Sequence, residues 1–421
     1  MQKGAQPTTN TFLSEEILRF RDLTFVEEMS ADRYARQRLI PGWDQKKIAA
    51  ARVLVAGAGA LGNEAIKNLA LLGVGRILIV DFDFVEVSNL SRCVLFREDD
   101  IGKSKALAAA RAVTALNPDV EVAALEGDIG CDLGEGELRE YDLVLGCLDS
   151  IAARWALNRL CRSARVPWLN AGISTTMGQV SLHDPHLGTC YECSMTRSMW
   201  HRMNQRRSCL MVGNPMRQDA TPATAILASI TAALQVQQAV DWLHRDTANA
   251  QPGLQPGLEP GQMLVVNTQM QEMTVVPLTM NPTCAAHGMD ADATSAPIQI
   301  SASPETLTVE EMLAIVPQAT SWILEFDIVT ELECAACGVE TVLLPLRHLR
   351  LPSLTCPQCG SLRVPRLTQE VQRTTPLARA TLQQFGVPHQ AMLKIRTGQG
   401  MQRVELLQPR PAKLISKKTS F

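Results

Sequence analysis

The stretch over residues 51–72 constrains the fold of this 421-residue chain more than any other. An apolar run at residues 53–55 is followed by glycines in a G-x-G-x-x-G pattern and then by apolar residues at helical spacing. Such a loop lets phosphate approach the N–H groups at a helix N-terminus. We therefore predict an α/β fold with a Rossmann-like, mostly parallel sheet, and a nucleotide loop formed by Gly57, Gly59 and Gly62.

A second apolar strand follows over residues 77–80 and ends in Asp81. Asp81 lies 24 residues after Gly57, about where a ribose-binding carboxylate belongs in a dinucleotide-binding unit. A nicotinamide-dependent dehydrogenase would share these two features. It is the weaker interpretation here, because no second catalytic domain with a His or Lys acid–base group stands out.

Charged and amide side chains come just past the carboxyl end of that strand, the edge at which open parallel sheets bind ligands. Arg and Lys can neutralise the charge that develops when the α-phosphate of a triphosphate is attacked, whereas hydride transfer needs no pair of cations there. The alternative is that these cations are solvated surface charges. We favour a nucleoside triphosphate site that includes Asp83, Asn89, Arg92 and Lys105.

A third strand, DLVLGCLD, ends in Asp149 and brings another carboxylate to the same edge of the sheet. The natural role of Asp149 is to hold a Mg²⁺ ion that bridges phosphate oxygens. The alternative is that Asp149 caps a helix that begins at Ile151.

Two short Cys/His pairs lie far apart in the sequence, as TCYECS and NPTCAAHG. Each pair has the spacing that lets two side chains reach one tetrahedral zinc ion. We predict a structural zinc site that closes the end of the domain, with the ligands Cys190, Cys193, Cys284 and His287. The alternative is that these are unrelated thiols.

A second set of four cysteines, in CAAC and CPQC, lies beyond that domain. Two C-x-x-C motifs at this separation are the strong signature of a zinc ribbon or a similar knuckle. We predict a second zinc ion and a small zinc-ribbon-like module without chemistry of its own. Its ligands are Cys334, Cys337, Cys356 and Cys359.

The order of RYARQ, GAGALG, DFDFVEVSNLSR, IGKSKA and CLDS resembles the ThiF/MoeB/HesA family of adenylyltransferases, the bacterial relatives of ubiquitin-activating enzymes. The resemblance covers residues 33–288. In that family the enzyme binds ATP and Mg²⁺ and adenylates the C-terminal glycine of a small ubiquitin-fold protein, with release of pyrophosphate. No Walker-type phosphate loop occurs in the chain, which fits this family.

The resemblance also implies roles for individual residues. Asp81 would hold the ribose, Asp149 would be the Mg²⁺-linked carboxylate, and Arg36 of RYARQ would reach across a homodimer into the partner's site. The family carries a zinc ion at the first Cys/His set, normally with four cysteines, so His287 is a departure. The phosphates would be held by Asn89, Arg92 and Lys105.

Cys209 lies in a stretch that matches the family's crossover loop, about residues 194–222. In ubiquitin-activating relatives the matching cysteine forms a thioester with the activated carrier. The Arg and His residues that precede Cys209 would lower the pKa of its thiol and favour the thiolate. We predict that Cys209 accepts the carrier. The alternative is an unreactive thiol, as in relatives that release the adenylate to a separate sulfur donor.

Composition limits the partners. A net charge of −3 gives no nucleic-acid footprint, and no run of 18 uncharged apolar residues marks a membrane span. The sequence shows no secretory leader, and its further cysteines lie in ordinary contexts, so we expect a cytoplasmic protein. We expect a ubiquitin-like or sulfur-carrier protein as partner, with a conjugating enzyme as a candidate and a homodimer as the assembly.

The sequence divides into five regions. We predict a polar N-terminal tail with a short helix at 1–32 and the adenylation domain at 33–290, followed by a linker and helix at 291–330. The zinc module would span 331–365, and a docking segment with a basic tail would span 366–421.

Three functions follow from these features. The first is activation of a ubiquitin-like protein for conjugation, including a role in antiphage defence that rests on the resemblance alone. The second is adenylation of a sulfur carrier for thiamine or molybdopterin. The third, from another class, is an inactive nucleotide-binding scaffold that acts through its zinc module. The added zinc module and the absence of a rhodanese-like segment favour conjugation.

Overall fold

A computed structural model describes residues 32–209, 224–245, 257–288, 296–346, 349 and 351–411. The predicted N-terminal tail before residue 32, the end of the predicted crossover loop and the basic C-terminal tail lie outside these residues. None of the helices in the described ranges is long and apolar enough to cross a membrane.

Helices and strands alternate through the first part of the chain and give way to strands in the second. The helices are α1 Gln45–Ala50, α2 Ala60–Leu72, α3 Lys105–Leu116, α4 Glu135–Leu138, α5 Ile151–Ala164, α6 Arg197–Cys209, α7 Ala225–His244, α8 Ala285–Gly288, α9 Val309–Ile315 and α10 Leu351–Leu354. The strands are β1 Arg52–Ala56, β2 Arg76–Val80, β3 Glu121–Leu125, β4 Leu143–Gly146, β5 Trp168–Ile173, β6 Met177–His183, β7 Gln262–Asn267, β8 Glu272–Pro277, β9 Ile298–Ile300, β10 Ala319–Cys334, β11 Gly338–Pro345, β12 Val364–Gln372, β13 Met392–Thr397 and β14 Gly400–Leu406.

The first eight strands form one sheet in the order β3-β2-β1-β4-β5-β6-β7-β8. The strands from β3 to β5 are parallel, and β6, β7 and β8 add antiparallel pairs. Side chains alternate across β1: Val53 and Val55 belong to the core cluster that contains α2, α3 and α7, while Leu54 packs with α5. The Rossmann-like, mostly parallel sheet predicted from the sequence is therefore confirmed.

The strand that ends near Asp149 is the fourth, not the third. Strand β3 was not predicted from the sequence; among the described strands it lies at the edge of the sheet and pairs with β2. Its sequence is EVAAL, and only its central Ala123 is buried, so it lacks the apolar run that marks β1 and β2. The loops after β1, β2, β3 and β4 all open at the carboxyl edge.

Residues 296–411 form a second domain around a six-stranded sheet. The long strand β10 runs through the boundary drawn at 330, and β12 runs through the boundary drawn at 365. The predicted linker, zinc module and docking segment therefore share one sheet. The physical reason is that β10 joins two apolar clusters, contributing Trp322 to one and Val329 to the other.

The second domain is docked on α4 and the residues around it. The N–H of Gly136 donates to the carbonyl of Gln390 at 3.0 Å, and the N–H of Met392 donates to Glu135 Oε2 at 2.8 Å. A Cβ atom on Gly134 would lie 2.0 Å from the carbonyl oxygen of His389, so the two backbones are in direct contact there. Ion pairs also cross the joint, Arg139 with Glu405 and Arg410 with Glu137.

Candidate functional site

The glycine loop between β1 and α2 is held in a shape that only glycine fits at two positions. Gly57 has φ +96°, and a Cβ atom there would lie 2.6 Å from the carbonyl oxygen of Cys147. A Cβ atom on Gly62 would lie 1.9 Å from the carbonyl oxygen of Gly57. A Cβ atom on Gly59 would have no heavy atom within 4 Å, and Gly59 directly precedes the first turn of α2. The loop therefore leaves room for a ligand at the N-terminus of α2.

Asp81 lies at the end of β2 with both carboxylate oxygens engaged by the backbone. Oδ2 accepts the N–H of Ala58 at 2.6 Å, and Oδ1 accepts the N–H of Asp83 at 2.7 Å. Burial raises the pKa of Asp81, against these hydrogen bonds and the charge of Lys105, which lower it. Each oxygen retains a further lone pair, so a rigidly held carboxylate remains able to accept ribose hydroxyls.

Lys105 begins α3, and its ammonium group contacts Asp83 Oδ2 at 2.8 Å. Only 12% of the Lys105 side chain is exposed. Burial acts to lower the pKa of Lys105, but the hydrogen bond to Asp83 and the charge of Asp81 outweigh it, so the pKa is raised. A buried cation is therefore held in place beside Asp81 before any ligand binds.

Asp149 follows β4, and it is not the helix cap that the alternative interpretation proposed. Ser150 caps α5, because its Oγ accepts the N–H of Ala153 at 3.1 Å. Asp149 is exposed and lines the cleft described below. A solvent-facing carboxylate is a ligand that Mg²⁺ accepts, so the residue fits the predicted metal.

One cleft of about 510 Å³ joins the predicted groups at the carboxyl edge of the sheet. The structure brings six of the predicted residues into its wall: Gly57, Gly59, Asp81, Asp83, Lys105 and Asp149. Four other predicted residues do not line it: Gly62, Asn89, Arg92 and Arg36. The cleft is of the size that binds a nucleotide or another small molecule.

Asn89 and Arg92 make local contacts in the loop after β2. The side-chain oxygen of Asn89 accepts the N–H of Glu86 at 3.0 Å, and Asn89 is buried. Arg92 Nη1 donates to the carbonyl of Ser88 at 2.6 Å. Both residues therefore hold the loop that precedes Lys105, and their predicted phosphate contacts remain predictions.

Arg36 lies on the segment that precedes α1, away from the cleft of its own chain. Its neighbour Tyr34 contacts Gly73 and accepts a hydrogen bond from Asn117 Nδ2 at 2.9 Å, which fixes the segment against α2 and α3. Arg36 itself is exposed. Its predicted place in a partner's site therefore requires a second chain.

The first Cys/His set is assembled from residues about 94 positions apart. Cys190 Sγ lies 3.8 Å from Cys193 Sγ and 3.7 Å from Cys284 Sγ, and Cys193 Sγ lies 3.6 Å from His287 Nε2. Tetrahedral zinc, with bonds of about 2.3 Å to sulfur and 2.0–2.1 Å to nitrogen, places two sulfurs about 3.8 Å apart and a sulfur and nitrogen about 3.6 Å apart. The four side chains fit a zinc ion.

The second cysteine set joins the β10–β11 turn to the loop before β12. The four sulfurs lie within 4.8 Å of one another, and Cys334 Sγ lies 3.5 Å from Cys359 Sγ. Within the second pair, Gly360 N–H donates to the carbonyl of Cys356 at 2.9 Å, a tight turn that directs both thiols inward. Four thiols at these distances also fit zinc.

Three cysteines outside these clusters are buried and unsuited to nucleophilic chemistry. Burial raises the pKa of Cys93 to about 11 and of Cys147 to about 12, and it raises the pKa of Cys161 well above its usual value. Cys131 lines the cleft. Cys209 is part of α6, but its side chain lies outside the described residues, so its predicted role stays a prediction.

Sequence reasoning missed the part of the cleft wall that the second domain supplies. This part consists of residues 322–327 of β10, Leu346, Val387, Pro388 and residues 391–394, which include the start of β13. On sequence grounds, residues 322–327 fall in the predicted linker and helix, Leu346 in the predicted zinc module and the later ones in the predicted docking segment. Within β10, apolar Leu324, Phe326 and Ile328 alternate with Glu325 and Asp327, and this short pattern is the signal that could have identified a strand.

Comparison with known proteins agrees with the geometry. A model of the ThiF family matches residues 32–286. SUMO-activating enzyme subunit 2 of Dictyostelium discoideum is 41% identical over 148 residues, which cover 35% of this chain and 22% of that protein. Adenylyltransferase and sulfurtransferase MOCS3 of Mus musculus is 40% identical over 168 residues, which cover 39% of this chain and 36% of that protein.

A third relative is the sulfur carrier protein adenylyltransferase of Thermus thermophilus. It is 38% identical over 170 residues, which cover 38% of this chain and 63% of that protein. The chain thus spans less than two thirds of the length of each of these relatives.

Proposed function

The chain belongs to the ThiF family, and from this premise we propose that it is an ATP-dependent adenylyltransferase. Its substrate would be the C-terminal glycine of a small ubiquitin-like protein. The observation that carries the proposal is the single cleft that joins the glycine loop to Asp81, Lys105 and Asp149. These groups suit a ribose, a polyphosphate and a Mg²⁺ ion respectively.

In the proposed reaction a carboxylate oxygen of the carrier forms a bond to the α-phosphorus of ATP. The bond between the α-phosphorus and the bridging oxygen breaks, and pyrophosphate leaves with the electron pair. Asp81 holds the ribose, which fixes the α-phosphate relative to the incoming carboxylate. In favourable cases such positioning lowers the barrier by about 7–11 kcal/mol.

Lys105 supplies positive charge where negative charge develops on the phosphates. Its contact with Asp83 holds the ammonium group in place, so little reorganisation is needed when ATP binds. Arg92 lies on the adjoining loop, and Arg36 would come from a partner chain. A Mg²⁺ ion held by Asp149 would neutralise phosphate charge when bound.

The second proposed step is transfer of the acyl group to Cys209. The thiolate would attack the carbonyl carbon of the mixed anhydride, the bond to the phosphate oxygen would break, and AMP would leave. Arg206 and Arg207 stand three and two positions before Cys209 in the sequence, and cations near a thiol favour the thiolate. The thioester would then pass to a conjugating enzyme. We propose that the protein acts in the cytoplasm and as a homodimer.

Adenylation of a sulfur carrier is the second candidate function. It is favoured by the similarity to two relatives, the Thermus sulfur carrier protein adenylyltransferase and the murine adenylyltransferase and sulfurtransferase MOCS3. The first step would be the same, and the adenylate would become a thiocarboxylate instead of a thioester. A role in antiphage defence belongs to the conjugation alternative and rests on resemblance alone.

ATP–pyrophosphate exchange tests the first step. We expect the wild-type protein to exchange label in the presence of a carrier, and Asp149→Ala to abolish the exchange. Asp99→Ala is the matched control, because Asp99 is exposed and does not line the cleft. Exchange that survives in Asp149→Ala would refute the Mg²⁺ role of Asp149, and an inactive scaffold would show no exchange in any variant.

Intact mass after incubation with ATP, Mg²⁺ and carrier tests the second step. We expect a thiol-sensitive adduct that is lost in Cys209→Ala. Cys131→Ala is the matched control. Two cysteines of the described cleft wall belong to neither Cys cluster, Cys131 and Cys147, and Cys147 is buried. An adduct that survives in Cys209→Ala would exclude Cys209, and exchange without any adduct would favour sulfur transfer.

A further inference from the structure

The base of a bound nucleotide would lie over the loop that follows β3. This step rests on the proposed function. Phosphates lie at the loop after β1, and the ribose lies at Asp81 after β2. In the sheet β2 stands between β1 and β3, so the loop after β3 lies next to the loop after β2. A nucleotide that extends from the β1 loop past Asp81 therefore reaches residues 127–131 after β3. Those residues line the cleft.

The second domain covers this end of the cleft. It is fixed to the segment that directly follows residues 127–131, through the backbone contacts of Gly134 and Gly136 and the hydrogen bond from Met392 N–H to Glu135 Oε2. Residues 322–327, 387–388 and 391–394 of this domain form a second wall of the cleft that the β3 loop also lines. A base at this position would lie between the two domains.

The register of β10 is interrupted in the part that lines the cleft. On one side β10 pairs with β13 up to Ile323 and with β11 from Ile328 onwards. On the other side its register with β12 is also interrupted between Ile323 and Ile328. Glu325 and Asp327 lie in this interruption, and both line the cleft.

Carboxyl groups outnumber cations in this wall. Glu325 and Asp327 bring two carboxyl groups, and Glu135, just after the β3 loop, brings a third, whereas Lys394 brings one ammonium group. Glu325 contacts Lys394 at 2.6 Å and Asp327 accepts from Gln369 Nε2 at 2.7 Å, and each carboxylate keeps further lone pairs that can accept. Adenine presents an exocyclic amino group, a donor, where hypoxanthine and guanine present the acceptor O6. An acceptor-rich wall therefore suits adenine and disfavours the 6-oxopurines.

We propose that the C-terminal domain closes the base end of the nucleotide cleft and recognises the amino group of adenine through the carboxylate of Glu325. The domain is then part of the nucleotide site. Glu325 determines specificity by direct contact with the base, while Glu135 positions the wall by holding the start of β13.

The test compares ATP with ITP, which differ at the 6-position of the base. Affinities for both are measured by calorimetry on the full chain with Mg²⁺, for the wild type and Glu325→Ala. The matched control is Glu331→Ala, because Glu331 lies on the same strand, pairs with Arg366 at 3.3 Å and is absent from the described cleft wall. Glu325→Leu, which has a side chain of similar size without a hydrogen-bond acceptor, is used if the alanine variant does not fold.

We expect wild type to prefer ATP, and Glu325→Ala to reduce the ATP-to-ITP preference about three- to tenfold, the effect of losing one hydrogen bond. Glu331→Ala should keep the wild-type preference. An unchanged preference in Glu325→Ala, including equal weakening of both nucleotides, would overturn the inference and leave the adenylation proposal intact. No binding of either nucleotide by the wild type would overturn the proposed function itself.

Discussion

At the scale of single residues, Gly59 and Gly62 belong to the same motif but have different surroundings. Gly62→Ala would place a Cβ atom 1.9 Å from the carbonyl oxygen of Gly57, so the loop must shift, and we expect a loss of about 3 kcal/mol or more in the free energy of unfolding. Gly59→Ala meets open space and has φ −70°, so stability should be retained. Thermal melting distinguishes the two.

For Gly59→Ala we expect a loss of nucleotide affinity without a loss of stability. The methyl group of Gly59→Ala would occupy space next to the first turn of α2, where we place the phosphates. We expect at least a tenfold weaker ATP affinity with an unchanged melting temperature. Unchanged ATP affinity in Gly59→Ala would contradict the position of the phosphates.

Glu135 makes stability depend on pH. Burial, followed by the charge of Glu325, raises the pKa of Glu135 from 4.5 to about 7. The folded state therefore binds the proton more tightly than the unfolded state between these values, and stability falls as pH rises through this window. The loss reaches about 3 kcal/mol above pH 7.

The variant Glu135→Gln removes this titration. We expect it to be more stable than the wild type at pH 8 and close to it at pH 4, as measured by urea unfolding at both values. Equal stability differences at the two pH values would show that Glu135 does not titrate in this window.

The sequence was sufficient to predict that Asp81, Lys105 and Asp149 lie together. These residues follow strands that an apolar run identifies, and the carboxyl edge brings them to one cleft, while their roles stay predictions. The sequence did not reveal that Asn89 Oδ1 accepts the N–H of Glu86, three residues away, and the phosphate contact of Asn89 also stays a prediction. Glu135 was missed because its burial depends on a domain that follows it by more than 150 residues.

At the scale of elements, each Cys cluster connects two segments that are separate in the sequence. The first joins the turn at Tyr191–Ser194 to α8, and the second joins the β10–β11 turn to the loop before β12. We expect two zinc ions per chain by elemental analysis. Cys284→Ser and Cys337→Ser should each remove one, and the double variant should remove both.

The consequence for stability should differ between the clusters. Cys190 and Cys284 are buried beside Ala286, so loss of the first zinc ion should lower the melting temperature of the adenylation domain. Cys337 and Cys359 are exposed at the end of the second sheet, so loss of the second ion should affect the C-terminal domain. Full zinc content in Cys337→Ser would contradict the second site.

The secondary structure of residues 382–406 was easier to predict from the sequence than that of β10. The sequence LQQFGVPHQAMLKIRTGQGMQRVELL suggests a short helix, a turn at Gly386 to Pro388 and strand-like runs. Residues 382–385 form a 3-10 helix that Gly386 ends with φ +76°, and β13 and β14 follow. Strand β10 was missed because it changes neighbours part-way along, so no single period of apolar residues describes it.

At the scale of the whole molecule, the two domains form one unit through α4. Arg410 contacts both Glu137 and the carbonyl of Asp132, and its side chain is largely buried. We expect Arg410→Ala to loosen the joint and raise hydrogen exchange in residues 132–139. Arg366→Ala, which removes an exposed ion pair of the C-terminal sheet, should leave that exchange unchanged.

Complementation between two inactive variants tests the proposed homodimer. If Arg36 completes the site of the partner, Arg36→Ala and Asp149→Ala should each be inactive in pyrophosphate exchange. A mixed dimer has one site with both native residues, so co-expressed chains should regain activity. No recovery in the mixture would place Arg36 outside the partner's site.

The most direct measurement is ATP–pyrophosphate exchange with a panel of ubiquitin-fold proteins that end in glycine, each paired with a version that lacks this glycine. The proposed adenylation requires the terminal carboxylate to reach the α-phosphate beside Lys105 and Asp149. We therefore expect exchange with at least one intact carrier and none with its shortened version. Exchange that is indifferent to the terminal glycine, or absent with every carrier, would contradict activation of a ubiquitin-like protein.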